Sequence, residues 1–248
     1  MPENALMQRA LEVFARGYSF TRSFTHPYPA SREGAIWVVR DAQRKRGTYR
    51  REEWIAHGVD ADEIHRVAMK NTRGQYGICA ICAEGESDAG LRADFKALNY
   101  RLNSTEPVMV HRLRRIPRLM DPLPIERVLT AEMADRLNRT TRIRQILPEH
   151  LVPDAPLRQY VALENEQPVG WVQAIVVDSA TWCSNMFVTQ AARRRGIGRA
   201  LMCRMLRDDR SHGSELAVLT ATHNGALLYA SIGYVRIGTL LFYTPKKR

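Results

Sequence analysis

Apolar and polar positions alternate most regularly in the C-terminal half of the chain. Residues 181–188 and 216–221 are apolar segments of strand length, and between them Ile197, Leu201 and Met205 recur at helical spacing. A strand, a glycine-containing turn, a helix and a second strand therefore follow one another, which is the order of a parallel crossover connection.

The same patterns predict the other elements of this half. We expect a helix capped by Thr130, with helical residues continuing over 141–150. We also expect a short helix over 226–232, with Asn224 as its N-cap and Gly233 at its end. The predicted strands are residues 125–129, 160–163, 168–177, 181–188, 216–221 and 240–243, of which the second and third are joined by the turn 164–167.

The N-terminal half has the same order of elements with weaker periodicity. A helix over 5–16 that ends at Gly17 is followed by a loop that reaches residue 32. Asp62 is placed to cap a helix over 62–72. The remaining predicted elements are strands at 35–39, 78–83 and 108–113, a helix at 91–98, and a strand or short helix within 49–59.

The division of the chain follows from its prolines. Pro117, Pro122 and Pro124 mark residues 114–124 as a linker, so the predicted domains are 1–118 and 119–248. We interpret the first as a degenerate copy of the second, and an unrelated α/β cap domain is the alternative. The predicted fold class is α/β (α+β), with a mixed, mostly antiparallel central sheet flanked by helices in two tandem copies.

The segment Arg193-x-x-Gly196-x-Gly198 lies between the predicted strand and helix and is called here the arginine–glycine loop (residues 193–199). Its glycines lack a Cβ, so the backbone can turn tightly and approach a ligand closely. Unpaired N–H groups and the positive end of a helix dipole at such a turn suit a phosphate or pyrophosphate. It is not a Walker loop, since no Gly-Lys-Ser/Thr follows, and it has too few glycines for a dinucleotide fingerprint. An ordinary helix start with solvated arginines is the alternative.

Three features in sequence order resemble the GNAT superfamily of acyl-CoA-dependent N-acetyltransferases, over roughly residues 125–246. The arginine–glycine loop is similar to that family's pyrophosphate loop. Asn224 is followed five residues later by Tyr229, as in the family's second cofactor segment. The sequence Ile232-Gly233-Tyr234 before a strand is similar to the family's usual helix exit.

The resemblance implies direct transfer of an acetyl group from acetyl-CoA to an amine, without a metal. In this family the two central parallel strands separate, so that strand groups pair with the pantetheine arm and one N–H faces the thioester oxygen. Tyr229 is the implied catalytic acid, because a phenol is protonated at neutral pH. The implied cofactor-binding residues are Met186, Phe187, Val188, Arg193, Arg194, Arg195, Gly196, Ile197, Gly198, Arg199, Asn224 and Tyr229.

Two parts of this implied machinery are open or missing. Many relatives have a glutamate on the strand before the loop, but residues 181–188 contain none, so Asp178, Glu164 and His223 are alternative general bases. The N-terminal copy has no equivalent of the arginine–glycine loop, and Phe95 stands where Tyr229 does. We therefore expect the chemistry in the C-terminal half alone.

Composition limits the class of protein and its partners. The net charge of +11 fits solvated arginine-rich faces, steering of an anionic cosubstrate, or a nucleic-acid partner, in that order of preference. With 45% apolar and 25% charged residues the chain has the composition of a soluble globular protein. No apolar run approaches the ~20 residues that a membrane helix needs, and no secretory signal is evident.

The four cysteines are too few for a disulfide scaffold, which fits a cytoplasmic protein. Cys79 and Cys82 are three residues apart on a predicted strand, so they point to opposite faces and are expected to be buried apolar residues rather than zinc ligands. We thus expect a cytoplasmic N-acetyltransferase, monomer or homodimer, for a small-molecule or peptide amine. An acyltransferase for a longer acyl group, or a non-catalytic CoA-sensing or nucleic-acid-binding module on this fold, is the alternative.

Overall fold

The computed structural model describes residues 2–118, 122–141 and 143–246. Its α-helices are α1 (Glu3–Arg22), α2 (Ala61–Asn71), α3 (Ala89–Ala97), α4 (Ala131–Thr141), α5 (Ile197–Ser211) and α6 (His223–Ala230). Its β-strands are β1 (Ala30–Glu33), β2 (Ile36–Val39), β3 (Glu52–His57), β4 (Tyr76–Ala83), β5 (Tyr100–His111), β6 (Ile125–Arg127), β7 (Leu157–Glu164), β8 (Gln167–Val177), β9 (Ala180–Val188), β10 (Leu216–Thr220) and β11 (Val235–Pro245). Short 3-10 helices cover Pro148–His150 and Gln190–Ala192.

The chain forms two compact units that interleave along the sequence. Unit 1 comprises Met1–Met109, Thr220–Ala226 and Arg236–Arg248, and unit 2 comprises Val110–Leu219 and Leu227–Val235. The predicted domain boundary between 118 and 119 adjoins residues 119–121 of the predicted linker, which lie outside the described residues. The division into domains 1–118 and 119–248 therefore stays a prediction.

Unit 2 contains a mixed sheet in the order β6-β7-β8-β9-β10. Strands β6 to β9 pair antiparallel in sequence, and β10 pairs parallel to β9 after the chain has crossed over through α5. The predicted apolar face of α5 is confirmed, since Ile197, Leu201 and Met205 are buried. This order brings the N-terminus of α5 directly after the C-terminal end of β9.

A buried polar cluster fixes α5 on the sheet. Asp209 of α5 accepts a hydrogen bond from Thr181 of β9 at 2.9 Å and forms a 2.8 Å ion pair with Arg158 of β7. Burial raises the pKa of Asp209 to about 6, although the Arg158 guanidinium opposes that rise. The Asp209 carboxylate therefore ties the C-terminal part of α5 to both β7 and β9. This contact fixes how the helix lies on the sheet.

Unit 1 contains a sheet in the order β1-β2-β3-β4-β11-β5. Strand β2 pairs antiparallel with β3, α2 follows, and β4 then pairs parallel with β3. This is the succession of β8, β9, α5 and β10 in unit 2. The predicted fold class with two tandem copies is therefore confirmed, and this order of elements favours a copy of the fold over an unrelated cap domain. The core of unit 1 is built around Trp54 and Phe95, both fully buried.

Three predicted helix boundaries are wrong, each because a tertiary or local contact outweighs the periodicity. Helix α1 continues past Gly17 to residue 22, where Ser19 Oγ donates a 2.7 Å hydrogen bond to the Tyr28 carbonyl and holds the last turn. Helix α4 ends at Thr141, the Gln145 N–H beyond it bonds to the Asn138 side chain, and a separate 3-10 helix begins at Pro148. Arg142, within the predicted helical segment, lies outside the described residues.

The third correction concerns α6, which begins at His223 and not at residue 226. Thr222 is the N-cap, because its Oγ1 accepts the Gly225 N–H at 3.1 Å, so Asn224 does not cap the helix. The predicted exit is correct: Gly233 has φ +103° and donates to the Ala230 carbonyl, while the Tyr234 N–H donates to the Tyr229 carbonyl. These two bonds are the Schellman motif that ends many helices.

Asp62 also is not a cap: it lies inside α2, and Asp60 occupies the N-cap position. Three strand predictions also need correction: β1 lies mostly in the predicted loop, β5 begins eight residues before its predicted start at 108, and β11 begins five residues before its predicted start at 240. The other predicted elements appear within a few residues of their expected bounds, and the ambiguous segment 49–59 contains strand β3. Cys79 and Cys82 are both buried on β4, as expected for apolar residues.

Candidate functional site

A β-bulge interrupts β9 four residues before its end. Trp171 pairs with Phe187 and Gln173 pairs with Ser184, so Asn185 and Met186 together lie opposite one residue of β8. Asn185 has φ +53°, in the left-handed region that asparagine tolerates better than most residues.

The bulge changes which residues of β9 face α5. Before it, Thr181 and Cys183 contact Asp209 and Met202 of that helix. After it, the α5-facing positions are Met186 and Val188, which lie beside Gly198. Side chains alternate along a strand, so the inserted residue shifts the pattern by one.

Strand β9 is paired with β10 over only part of its length. In the described residues the registered pairs number three, and the last joins Trp182 and Val218. Residues 183–188 therefore continue beyond the registered ladder, as the family resemblance leads one to expect where strand groups are left for a ligand.

The arginine–glycine loop turns directly into α5. Gly196 is the N-cap with φ +79°, a conformation that is free of strain only for glycine, and its carbonyl accepts the Ala200 N–H at 3.0 Å. The N–H groups of residues 197–199 have no carbonyl within the helix to bond to, because Ala200 donates the first intrahelical bond. They are consequently available to an anion at the positive end of the helix.

Gly198 is the point at which three elements meet. A Cβ built on it would lie 2.6 Å from Met186 Cε, 3.4 Å from Leu228 Cδ2 and 3.7 Å from Val188 Cγ2. We call Met186, Val188, Gly198 and Leu228 the junction. The glycine thus allows β9 and α6 to approach the first turn of α5 more closely than a side chain would permit.

Three arginines of the loop are bonded to neighbouring elements. Arg195 forms a 2.5 Å ion pair with Glu164, and this bond lowers the pKa of that carboxyl group. Arg199 donates to the Ser231 carbonyl at 3.3 Å, after the end of α6. Arg193 donates to the Val188 carbonyl at 3.0 Å and stacks over the Phe187 ring.

These bonds hold the loop in place before any ligand arrives, and they leave one arginine unused. Arg194 is exposed, has φ +60°, and forms no hydrogen bond or ion pair with the described part of the chain. Of the arginines predicted to add charge at the pyrophosphate, Arg194 is therefore the one whose guanidinium is free for that role.

Tyr229 lies next to the junction residue Leu228 on α6. Its ring meets the Tyr234 ring edge-on, with 5.8 Å between centroids. Burial raises the pKa of Tyr229 above its usual value, and Cys183 of β9 adds to the rise. The hydroxyl is consequently protonated throughout the neutral range, as a proton donor requires.

The predicted site residues are not all on the same unit. Residues 186–188, the arginine–glycine loop and Tyr229 belong to unit 2, whereas Asn224 belongs to unit 1. The side chain of Phe187 points away from α5 and stacks on Trp171 at 4.9 Å. A role for Phe187 in binding would therefore use its main chain, as the prediction states.

None of the alternative bases has gained support. Glu164 is in the ion pair with Arg195. Asp178 lies in the turn before β9, about 30 Å along the strand from Val188 at ~3.3 Å per residue. His223 is in unit 1 and hydrogen-bonds to Thr105 Oγ1 at 2.9 Å.

Sequence reasoning missed a group of uncharged polar side chains beside the bulge, in which the two glutamines are buried, Ser184 is half-buried and Asn185 is exposed. It consists of Gln145, Gln173, Ser184 and Asn185, joined by hydrogen bonds. The signal was present: Ser184 and Asn185 are polar residues inside an otherwise apolar strand segment.

Within the described residues, no helix is long and apolar enough to cross a lipid bilayer. In the same part of the chain, histidine, cysteine, aspartate and glutamate side chains form no group of three that could hold a metal ion.

Comparisons with known proteins agree with this geometry. Residues 156–236 match the family profile described as "Acetyltransferase (GNAT) domain". No curated protein sequence matches the chain. Among solved structures, a GCN5-related N-acetyltransferase from Kribbella flavida is 17% identical, with TM-score 0.66 and 96% of each chain covered.

Two further solved structures have the same fold over nearly the whole chain. A putative GNAT-family acetyltransferase from Novosphingobium aromaticivorans is 12% identical, with TM-score 0.56, 97% of this chain and 99% of that chain covered. A tandem GNAT protein from the clavulanic acid biosynthesis pathway is 14% identical, with TM-score 0.55 and coverage of 98% and 95%. At these identities the likeness is one of fold.

Proposed function

We propose that this chain, in which residues 156–236 form a GNAT domain within a tandem GNAT fold, is an N-acetyltransferase that uses acetyl-CoA as its cosubstrate. It transfers the acetyl group directly to a primary amine of a small molecule or peptide. The observation that carries the proposal is the meeting of β9, α5 and α6 at Gly198, next to a loop of free N–H groups and beside a protonated tyrosine.

The residues present fit the diphosphate of coenzyme A. The N-terminus of α5 is not covered by a capping side chain, and Gly196 and Gly198 leave its first N–H groups open. Arg194 supplies a free positive charge, worth about 1 kcal/mol or less at an exposed contact. The bonded Arg193, Arg195 and Arg199 keep the loop in a fixed conformation, which lowers the entropic cost of binding.

The pantetheine arm and the thioester of the cosubstrate are proposed to bind along β9. Residues 186–188 continue past the β9–β10 ladder, so their main-chain groups can pair with the amides of the pantetheine arm. A main-chain N–H near Phe187 or Val188 would face the thioester oxygen and stabilise the negative charge that develops there. Asn224 is proposed to bond to the same arm.

Acetyl-CoA supplies an acetyl group that is activated as a thioester. Tyr229 holds the proton that the departing thiolate requires, and its raised pKa keeps that proton in place at neutral pH. The amine must arrive neutral or lose its proton to a base or to water. Direct transfer with no metal is part of the proposal.

The test is acetyl transfer by the purified full chain. Acetyl-CoA is incubated with a panel of polyamines, amino acids and peptides, and the free thiol of CoA is followed. Amine-dependent thiol release is the expected result. Binding of CoA without release for any amine would favour a CoA-sensing module, and salt-sensitive duplex DNA binding without transfer would favour a nucleic-acid module. Either result contradicts the proposal.

A further inference from the structure

The conformation of the β9 bulge is held from outside the strand. Asn185 Nδ2 donates a hydrogen bond to Oε1 of Gln145, a residue from the segment after α4 that is 1% exposed. Gln145 is itself fixed twice: its N–H donates to Asn138 Oδ1 at 2.7 Å, and its carbonyl accepts from Gln173 Nε2 at 2.6 Å. Helix α4 and strand β8 thus position the Gln145 residue whose side chain accepts from Asn185.

This contact bears on which residues face α5. A left-handed conformation is unfavourable for most residues, and a continuous strand would not require it. If β9 lost the extra residue of the bulge, the alternation of side chains would bring Phe187 to the α5 face in place of Met186 and Val188. An aromatic ring would then stand at Gly198, where a Cβ alone already meets Met186.

We propose that Gln145 and Asn185 form a positioning clamp for the bulge, which keeps the main chain of residues 186–188 in the register that the thioester needs. The effect on turnover rests on the proposed function. The clamp itself does not, because the exposure of the strand amides can be measured without a substrate.

The clamp is made of neutral amides, which has a physical consequence. The Gln145 side chain is in a nearly water-free position, where an ionised partner would be costly unless it were paired. Two amides hold the bulge without introducing a buried charge. Replacing either residue should therefore displace the strand without changing the charge of the site.

Three variants test the clamp. Gln145→Ala removes the acceptor, Asn185→Ala removes the donor and strains the backbone, and Asn185→Gly removes the donor while keeping positive φ accessible. Asn99→Ala is the matched control, because Asn99 also has positive φ, +62°, and lies in unit 1 on an exposed turn after α3.

We expect Gln145→Ala and Asn185→Gly each to lower kcat about 10- to 100-fold, since misplacement by about 1 Å has effects of that size. The double variant should lose no more than either single variant, because both remove one contact. The amides of residues 186–188 should exchange hydrogen faster in both, with or without acetyl-CoA. Asn99→Ala should lose stability through the same backbone strain yet keep the wild-type kcat and exchange rates.

Two results would overturn the clamp. One is wild-type exchange at residues 186–188 in Gln145→Ala and Asn185→Gly. The other is unchanged kcat in both variants of an active enzyme. If the wild-type chain transfers no acetyl group, the proposed function fails, but the exchange measurement still decides whether the clamp exists.

Discussion

Tyr229 and Tyr234 are two tyrosines of unit 2 whose rings touch but whose hydroxyls differ in environment. The Tyr234 hydroxyl is fully buried and has no hydrogen-bond partner in the described residues. Tyr229 is half-buried at the end of α6 beside the junction. Burial raises the pKa of both hydroxyls, so position rather than acidity distinguishes the proton donor from a packing residue.

Tyr229→Phe should lower turnover about 100-fold or more, because it removes the proton donor and leaves the ring. The affinity for CoA, measured by calorimetry, should stay near the wild-type value. Tyr234→Phe is the control: it deletes a buried hydroxyl without a partner and should leave turnover unchanged. Equal turnover in wild type and Tyr229→Phe would remove Tyr229 from the mechanism.

Glu53 shows that a strongly perturbed carboxyl group also occurs outside the proposed site. It is buried on β3 of unit 1, where it accepts a hydrogen bond from the Tyr18 hydroxyl at 3.4 Å and lies 3.8 Å from Cys79 Sγ. Burial raises its pKa to about 7, while Arg22 and Arg51 oppose the rise. The folded state therefore binds a proton that the unfolded state releases near pH 4.5.

The sign of this linkage gives a stability prediction. Between pH 4.5 and about 7 the folded chain holds more protons than the unfolded chain, so the free energy of unfolding falls as pH rises through that window. The loss attributable to Glu53 is of the order of 3 kcal/mol at most. Urea denaturation should show that the free energy of unfolding falls less between pH 5 and pH 8 in Glu53→Gln than in wild type. Identical pH dependence in the two proteins would contradict the shift.

At the scale of elements, the sequence predicts regular strands and turns but not the residues that interrupt or extend them. The hairpin β7–β8 was predictable because Asn165 and Glu166, both at positive φ, make a tight turn between two apolar segments. The bulge in β9 was not, because an alternation with period two contains no sign of one inserted residue. The end of α1 was missed because its last turn depends on a bond to Tyr28, which lies beyond the helix.

Asp209→Ala should destabilise the fold by about 3–5 kcal/mol, because it leaves the Arg158 guanidinium buried without its partner. Asp208→Ala is the control on the same helix: its 3.2 Å pair with Arg204 is partly exposed, and its removal should cost about 1 kcal/mol or less. Both are measured by urea denaturation. Equal losses in the two variants would show that the buried cluster does not anchor α5.

At the scale of the whole molecule, two copies of one fold differ at the place where a cosubstrate would bind. In unit 1, strands β3 and β4 are joined by six registered pairs, against three for β9 and β10. The N-terminus of α2 carries Asp60, Asp62 and Glu63, which repel an anion where the arginine–glycine loop attracts one. The repeat was predictable from the order of elements. The fuller pairing of β3 with β4, which leaves fewer strand groups for a ligand, was visible only in the strand register.

The closed first copy predicts one CoA molecule for each chain. Phe95, predicted to stand where Tyr229 does, is fully buried and stacks on Tyr243 at 4.3 Å, so it leaves no room for a ligand at that position. Titration calorimetry with CoA should give a stoichiometry near one. A stoichiometry near two would mean that unit 1 has kept a binding site.

The most direct test of the account is calorimetry of CoA binding to Gly198→Val. Its Cβ and methyl groups would occupy the space now filled by Met186 Cε and cover the first N–H groups of α5. Gly90→Val is the control, because no heavy atom lies within 4 Å of a Cβ built at Gly90. CoA binding should be lost in Gly198→Val and kept in Gly90→Val, with both variants folded. Wild-type affinity in a folded Gly198→Val would place the diphosphate elsewhere and contradict the account.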